Sequence, residues 1–164
     1  MYDYRKSEGS LIGSLIRGIV GHALWESEVR YGESMDNQIE KKTIERKERE
    51  VAAGYDIIGH NLVISLAEDL DHHNATFIRE QSDKLIKTKP IKNIIFDFSG
   101  TDFMDSSGIG VIMGRYKKVM LSGGRAAVTG VNQSVDRILR LSGLYKIIQR
   151  FDTIEDAVIK LSQK

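Results

Sequence analysis

Apolar and polar positions divide this 164-residue chain into two stretches of different rhythm, with the change near residue 50. In the first stretch Ile12, Leu15, Ile16, Ile19, Val20 and Ala23 recur at the spacing of one helical face. Gly13, Gly18 and Gly21 each weaken such a helix by about 1 kcal/mol relative to alanine, so it needs something to pack on. Three occupants fit the pattern: its own domain or a second copy of the chain, a membrane surface, or another protein. The polar face carries little lysine or arginine for anionic lipid. Residues 26–50 then hold 14 charged side chains in 25 positions and read as a solvated helix or linker. Val29, Tyr31, Met35, Ile39 and Ile44 are too sparse there to make a core.

From residue 51 the rhythm is regular. Residues 61–66 read as a strand, with residues 54–58 as a hairpin partner across Gly59 and His60. Residues 71–87 read as a helix with Ala75, Ile78, Leu85 and Ile86 inward, capped by Asp71 or Asn74. Pro90 breaks the chain ahead of a buried strand over 93–98. The next helix puts Ile109, Ile112, Met113, Tyr116 and Met120 on one face and stops at Ser122-Gly123-Gly124. Residues 126–131 return as a strand. Ser134 then caps a helix carrying Val135, Ile138, Leu139 and Leu141, and Ile147-Ile148 forms a short strand. Thr153, with Asp156 three positions on, opens a final helix that uses Ala157, Val158 and Leu161. Strand and helix alternating after a hairpin predict an α/β fold, a mixed central sheet with helices packed on it. The organisation expected is a helical, charged extension over 1–50 and a domain over 51–164. A domain of that length buries a sufficient core without metal or disulfides.

Composition narrows the classes of function. Apolar residues at 41% and charged residues at 29% describe an ordinary globular chain. The formal net charge of +1 argues against a nucleic-acid binder, which would show a basic face. The absence of cysteine excludes a disulfide framework and a thiolate metal site. No apolar run approaches the roughly 18–20 residues of a membrane span, and the first six residues lack signal-peptide order. A cytoplasmic location is expected.

The candidate chemistry sits where the buried strand over 93–98 gives way to a helix, at Phe103-Met104-Asp105-Ser106-Ser107-Gly108-Ile109-Gly110. Hydroxyls there lie beside unpaired backbone N–H groups at the positive end of a helix dipole, a place that can hold a phosphate. Asp-Ser-Ser-Gly is not the Gly-x-Ser-x-Gly nucleophile elbow, and none of His22, His60, His72 or His73 falls in such a pattern. His72 and His73 are adjacent and lack a partner ligand at helical spacing, so they read as exposed first-turn residues and not as a metal site. Gly108, Gly110 and Gly114 do not make a dinucleotide fingerprint. No enzymatic reading stands. The acidic run Glu68-Asp69-Leu70-Asp71 also lies where a strand hands over to a helix, so it is expected on the same sheet edge as the two serines.

Leu70-Asp71-His72-His73-Asn74-Ala75, followed by Phe103-Met104-Asp105-Ser106-Ser107-Gly108-Ile109-Gly110-Val111-Ile112-Met113-Gly114-Arg115-Tyr116-Lys117, strongly resembles the bacterial anti-sigma factor antagonists of the STAS-domain family, the sporulation-type members most of all. Leu141-Ser142-Gly143-Leu144-Tyr145-Lys146-Ile147-Ile148 is similar to a later segment of the same family. The resemblance covers about residues 51–164 and implies a STAS-type fold and a non-enzymatic switch without a cofactor. It implies that Ser106 is phosphorylated by an anti-sigma factor that is also a serine kinase. The unmodified protein would bind that kinase and free the sigma factor, and a PP2C-type phosphatase would restore the serine. Asp71, Asp105, Ser106, Ser107, Gly108 and Ile109 are the partner-binding residues it implies. The alternative is a STAS scaffold or sensor that works by oligomerisation or docking, without phosphorylation. Glu68 stands where the sporulation-type members usually have glycine. Residues 1–50 have no counterpart in the minimal antagonist and are expected to add a homodimer interface, a second docking surface or a cover for the switch face.

Overall fold

The computed structural model describes residue 35, residues 37–44 and residues 52–163. The chain divides into two compact units, Met1–Arg46 and Lys47–Lys164. In the first, residues 37–44 are helical, and Met35, Ile39 and Ile44 are exposed. That agrees with the sparse apolar spacing of the stretch. The helix read over residues 11–25 lies outside the described residues, and so do the dimer, docking and cover roles of that region.

In the second unit β1 (Ala53–Ile58) and β2 (Asn61–Leu66) form an antiparallel hairpin, with Ala53 opposite Leu66 and Ile58 opposite Asn61. Gly59 makes the turn at a φ of +62°, which glycine adopts without a Cβ clash. α1 (His72–Thr88) then leads to β3 (Asn93–Asp97), and α2 (Ser106–Met120) leads to β4 (Ala126–Thr129). α3 (Gln133–Leu141) and a 3-10 turn (Leu144–Lys146) lead to β5 (Gln149–Arg150), and α4 (Ile154–Ser162) follows. The five strands lie side by side in chain order, and every pair after the hairpin is parallel.

Two cores fill the faces of this sheet. Leu62, Ile64, Ile94, Phe96 and Val128 point to one side, where Ala75 and Ile78 of α1, Val111, Ile112 and Val119 of α2 and Val135 and Leu139 of α3 close over them. Val63, Ile95 and Ala127 point to the other and meet Ala157 and Leu161 of α4. A fully buried side chain of the larger apolar types contributes about 1.5–3 kcal/mol, so the three-helix face supplies most of the burial. Asn93, 3% exposed, ties the lower ends together: its amide donates to Asn61 Oδ1 (3.0 Å) and to the Leu161 carbonyl (3.1 Å). Its Oδ1 accepts from the Arg125 backbone N–H (2.9 Å). Among the described residues no helix is long and apolar enough to cross a membrane.

Four local expectations are corrected. On α2 Ile112 is fully buried and Ile109, Met113 and Tyr116 pack partly buried against the core as expected, but the most deeply buried stripe also takes in Gly108, Val111, Arg115 and Val119, and Met120 is 45% exposed. Arg115 is seated in that stripe by Asp83 of α1 (2.9 Å), which a count of apolar positions does not register. Leu141 is 78% exposed at the end of α3 and faces away from the core. The cap of α3 is Asn132, whose Oδ1 accepts from the Val135 N–H (2.9 Å), and Ser134 lies inside the first turn. The last strand is Gln149–Arg150, not Ile147-Ile148: Ile148 is drawn into the core, and the exposed polar pair beyond it makes the ladder.

Asp136 of α3 fastens this C-terminal section. Its Oδ1 accepts from the Tyr145 hydroxyl (2.7 Å) and from Arg150 Nη1 (2.6 Å), and its Oδ2 accepts from Arg140 Nη2 (3.0 Å). The Tyr145 hydroxyl, and next to it the Arg140 guanidinium, hold the Asp136 carboxyl below the usual carboxylate range. A depressed carboxyl stabilises the fold above its unfolded value near 3.9, and that contribution is lost as pH falls through the lower folded value. Asp136→Asn should therefore lower Tm by a constant amount between about pH 7 and pH 5, with the gap to wild type closing below about pH 4. Thermal melts across that range check it.

Candidate functional site

Two loops leave the carboxyl ends of β2 and β3 and meet above the sheet. Beyond the regular ladder Leu70 and Met104 form an isolated parallel bridge, both fully buried. The Leu70 N–H donates to the Phe103 carbonyl (3.1 Å), and the Asp105 N–H donates to the Leu70 carbonyl (3.3 Å). Side chains from both loops brace it. Asp69 Oδ1 accepts from the backbone N–H groups of Asp102 (3.2 Å) and Phe103 (2.9 Å), and the Thr101 hydroxyl donates to the Glu68 carbonyl (3.0 Å). From α1 the Asn74 amide donates to the Asp69 carbonyl (2.9 Å), and from the start of α3 the Asn132 amide donates to the Thr101 carbonyl (2.9 Å).

Each loop ends in an aspartate cap immediately after the bridge. Asp71 Oδ1 accepts from the Asn74 N–H (2.9 Å) and opens α1, which settles the choice between Asp71 and Asn74. Asp105 Oδ1 accepts from the Ser107 N–H (2.6 Å) and opens α2. The two helices consequently start side by side on one edge of the sheet, as the sequence predicts. Ser106 is the first residue of α2 and is exposed, and no hydrogen bond to its hydroxyl occurs among the described residues. Ser107 is half-buried, its hydroxyl 3.5 Å from His72 Nδ1 across the gap between the helices, and Arg79 Nη2 reaches its carbonyl at 3.4 Å. Both contacts are at the long limit of hydrogen bonding.

Gly108 is where the bridge and the helix touch. A Cβ there would lie 2.3 Å from Met104 Cγ and 2.9 Å from Leu70 Cγ, so only glycine lets α2 sit down on the pair. Ile109 is half-buried beside it. The edge as a whole is acidic, with Glu68, Asp69, Asp71, Asp102 and Asp105 from the two loops set against His72 and Arg79. Among the described residues no three His, Asp or Glu side chains converge as a metal site would require.

The structure thus gathers Asp71, Asp105, Ser106, Ser107, Gly108 and Ile109 on one edge. Spacing alone did not reveal the bracing by Asp69, Asn74 and Asn132, nor the approach of His72 to Ser107. The contacts of Asp69, Asn132 and His72 cross about thirty residues of chain, and that of Asn74 depends on how the Asp69 loop turns back onto α1.

The STAS domain model matches residues 53–157, and the chain belongs to that family. Within it the chain is similar to anti-sigma factor antagonists. It is 41% identical over 100 residues to the anti-sigma F factor antagonist of Paenibacillus polymyxa, covering 61% of this chain and 86% of that one. The unphosphorylated form of the antagonist SpoIIAA superimposes with a TM-score of 0.61 at 29% identity, over 66% of this chain and 95% of that one. The phosphorylated form of SpoIIAA does so with a TM-score of 0.56 at 28% identity, over 66% and 98%.

The seat of Gly108 sets a testable contrast. An alanine in a helix normally gains up to about 1 kcal/mol over glycine, whereas overpacking a filled core costs about 1–3 kcal/mol. Gly114 has open space around it. Gly114→Ala should stabilise the domain by about 0.5–1 kcal/mol and Gly108→Ala should destabilise it by about 1–2 kcal/mol, measured by urea unfolding.

Proposed function

We propose that this chain is an anti-sigma factor antagonist that works by binding, with Ser106 as its phosphate acceptor. The observation that carries the reading is the state of the two serines. The Ser106 hydroxyl is exposed and uncommitted at the first position of α2, while Ser107 is half-buried against His72. An enzyme approaching this edge meets one free hydroxyl on a backbone held by the Asp105 cap. In this reading the unmodified chain binds an anti-sigma factor serine kinase through Asp71, Asp105, Ser106, Ser107, Gly108 and Ile109, and the sigma factor is released. A PP2C-type phosphatase resets Ser106, and the exchange takes place in the cytoplasm.

The same geometry gives a reason for release after modification. A kinase that phosphorylates Ser106 must bring the phosphates of its nucleotide up to that hydroxyl. Once transfer is complete, a phosphoserine of about −1.5 to −2 charges faces the remaining nucleotide phosphates at close range. Like charges a few ångströms apart in a partly desolvated contact repel by several kcal/mol, enough to turn tight binding into weak binding.

The test combines ATP, an anti-sigma factor serine kinase and intact-mass analysis. The chain should gain one phosphate, Ser107→Ala should still gain it, and Ser106→Ala should not. Binding to the kinase in ADP should fall at least about a hundredfold on phosphorylation, the equivalent of roughly 2.7 kcal/mol. A phosphate carried on another residue, or full modification of Ser106 with unchanged binding, contradicts the reading.

A further inference from the structure

Phe103, part of the family motif but outside the partner-binding set that the resemblance implies, stands out on this edge. It is 49% exposed, three positions ahead of Ser106. A single exposed apolar side chain is ordinary on a protein surface. Leu121 at 86% and Leu141 at 78% exposure are more open still, but each sits where a helix runs out. Phe103 differs in how its backbone is held. Its N–H donates to Asp69 Oδ1 (2.9 Å), and its carbonyl accepts from the Leu70 N–H (3.1 Å). Its successor Met104 is fully buried in the bridge. The chain on both sides is fixed while the ring projects outward. Asp69 adds to this by accepting from the Asp102 N–H as well (3.2 Å), so one carboxylate oxygen orders two consecutive amides of the loop.

We propose that Phe103 is the apolar anchor by which the partner of this edge is held, and that Asp69 is the positioning residue that presents it. The inference rests on the functional reading above and names a contact within it and the residue that positions that contact. A ring with two side-chain torsions on a fixed backbone loses little conformational entropy when it enters a pocket, the property that makes aromatic side chains effective anchors. Its surroundings define the complementary surface. Glu68, Asp71, Asp102 and Asp105 ring the site with negative charge, so the partner presents an apolar pocket rimmed by lysine or arginine. Burying the ring also draws the partner over Ser106, since both lie on the same short loop and helix start. Asp69 directly follows Glu68, the position where the sporulation-type members usually have glycine.

The experiment uses the full chain and the anti-sigma F factor of Paenibacillus polymyxa in ADP, where no phosphoryl transfer occurs, with affinities from calorimetry. Phe103→Ala should weaken binding at least about thirtyfold, and Phe103→Tyr should restore it to within about threefold. Asp69→Ala should weaken binding about five- to tenfold with Phe103 present and less than about twofold in the Phe103→Ala background. That loss of effect separates presentation of the ring from a direct contact by Asp69, which would be additive. Thermal melts of each variant confirm that the domain is folded. Wild-type binding with an unchanged Phe103→Ala affinity overturns the anchor, and additive losses overturn the positioning role. A wild-type chain that neither binds this kinase nor takes a phosphate on Ser106 from it overturns the functional reading, and the anchor with it.

Discussion

Two backbone hydrogen bonds between Leu70 and its neighbours across the gap set the geometry of the whole functional edge. The parallel ladder of β2 and β3 ends at Ser65 and Asp97, and the chains then separate into loops. The bridge at Leu70 and Met104 brings them together again several residues later. Because it lies directly before Asp71 and Asp105, it fixes where both helices begin. The residue after each bridge position caps a helix, so two helix starts and their aspartates are placed as a pair. Gly108 completes the arrangement by letting α2 rest on the bridging side chains without a Cβ between them. Remove the bridge and the serines, the caps and Phe103 lose their common frame.

The electrostatics of that frame determine what a phosphate on Ser106 would do to the domain itself. The helix dipole favours an anion at the first turn by about 0.3–1 kcal/mol. Against it stands the Asp105 carboxylate, which already occupies the Ser107 amide, and a like charge at about 4 Å in water costs about 1 kcal/mol. The two effects nearly cancel. Ser106 itself is exposed, and among the described residues its hydroxyl has no hydrogen bond for a phosphate to displace. On the proposed function, the free energy of the switch therefore appears across the partner interface, while the sheet and its helices stay as they are.

Most of the fold was legible in the sequence because its elements carry their own signals. The hairpin shows in two apolar runs around Gly59, and the Thr153 cap shows in its spacing to Asp156, whose N–H donates to Thr153 Oγ1. Misreadings occur where one residue type can do two jobs. Asn132 and Ser134 are both good caps two positions apart, and the reach of the Asn132 amide to the Thr101 and Asp102 carbonyls favours the earlier one. The core stripe of α2 contains a glycine and an arginine, so hydrophobic periodicity found Ile109, Ile112, Met113 and Tyr116 but missed those two and took Met120 with them. Ile147-Ile148 resembles a strand, yet burial of Ile148 uses that apolar character in the core. At the site, Asp71, Asp105 and the serines were legible as a motif. The work of Asp69 and Asn132 was not, because their partners come from loops some thirty residues away.

Amide hydrogen exchange on the unmodified chain and on the same chain phosphorylated at Ser106 locates the switch. Protection should be unchanged throughout β1 to β5, α1 beyond its first turn and α4, with differences confined to residues 68–73 and 102–110. Changes spread through the sheet or along the length of α1 and α2 would contradict this, since they would place the switch inside the domain and not at its edge.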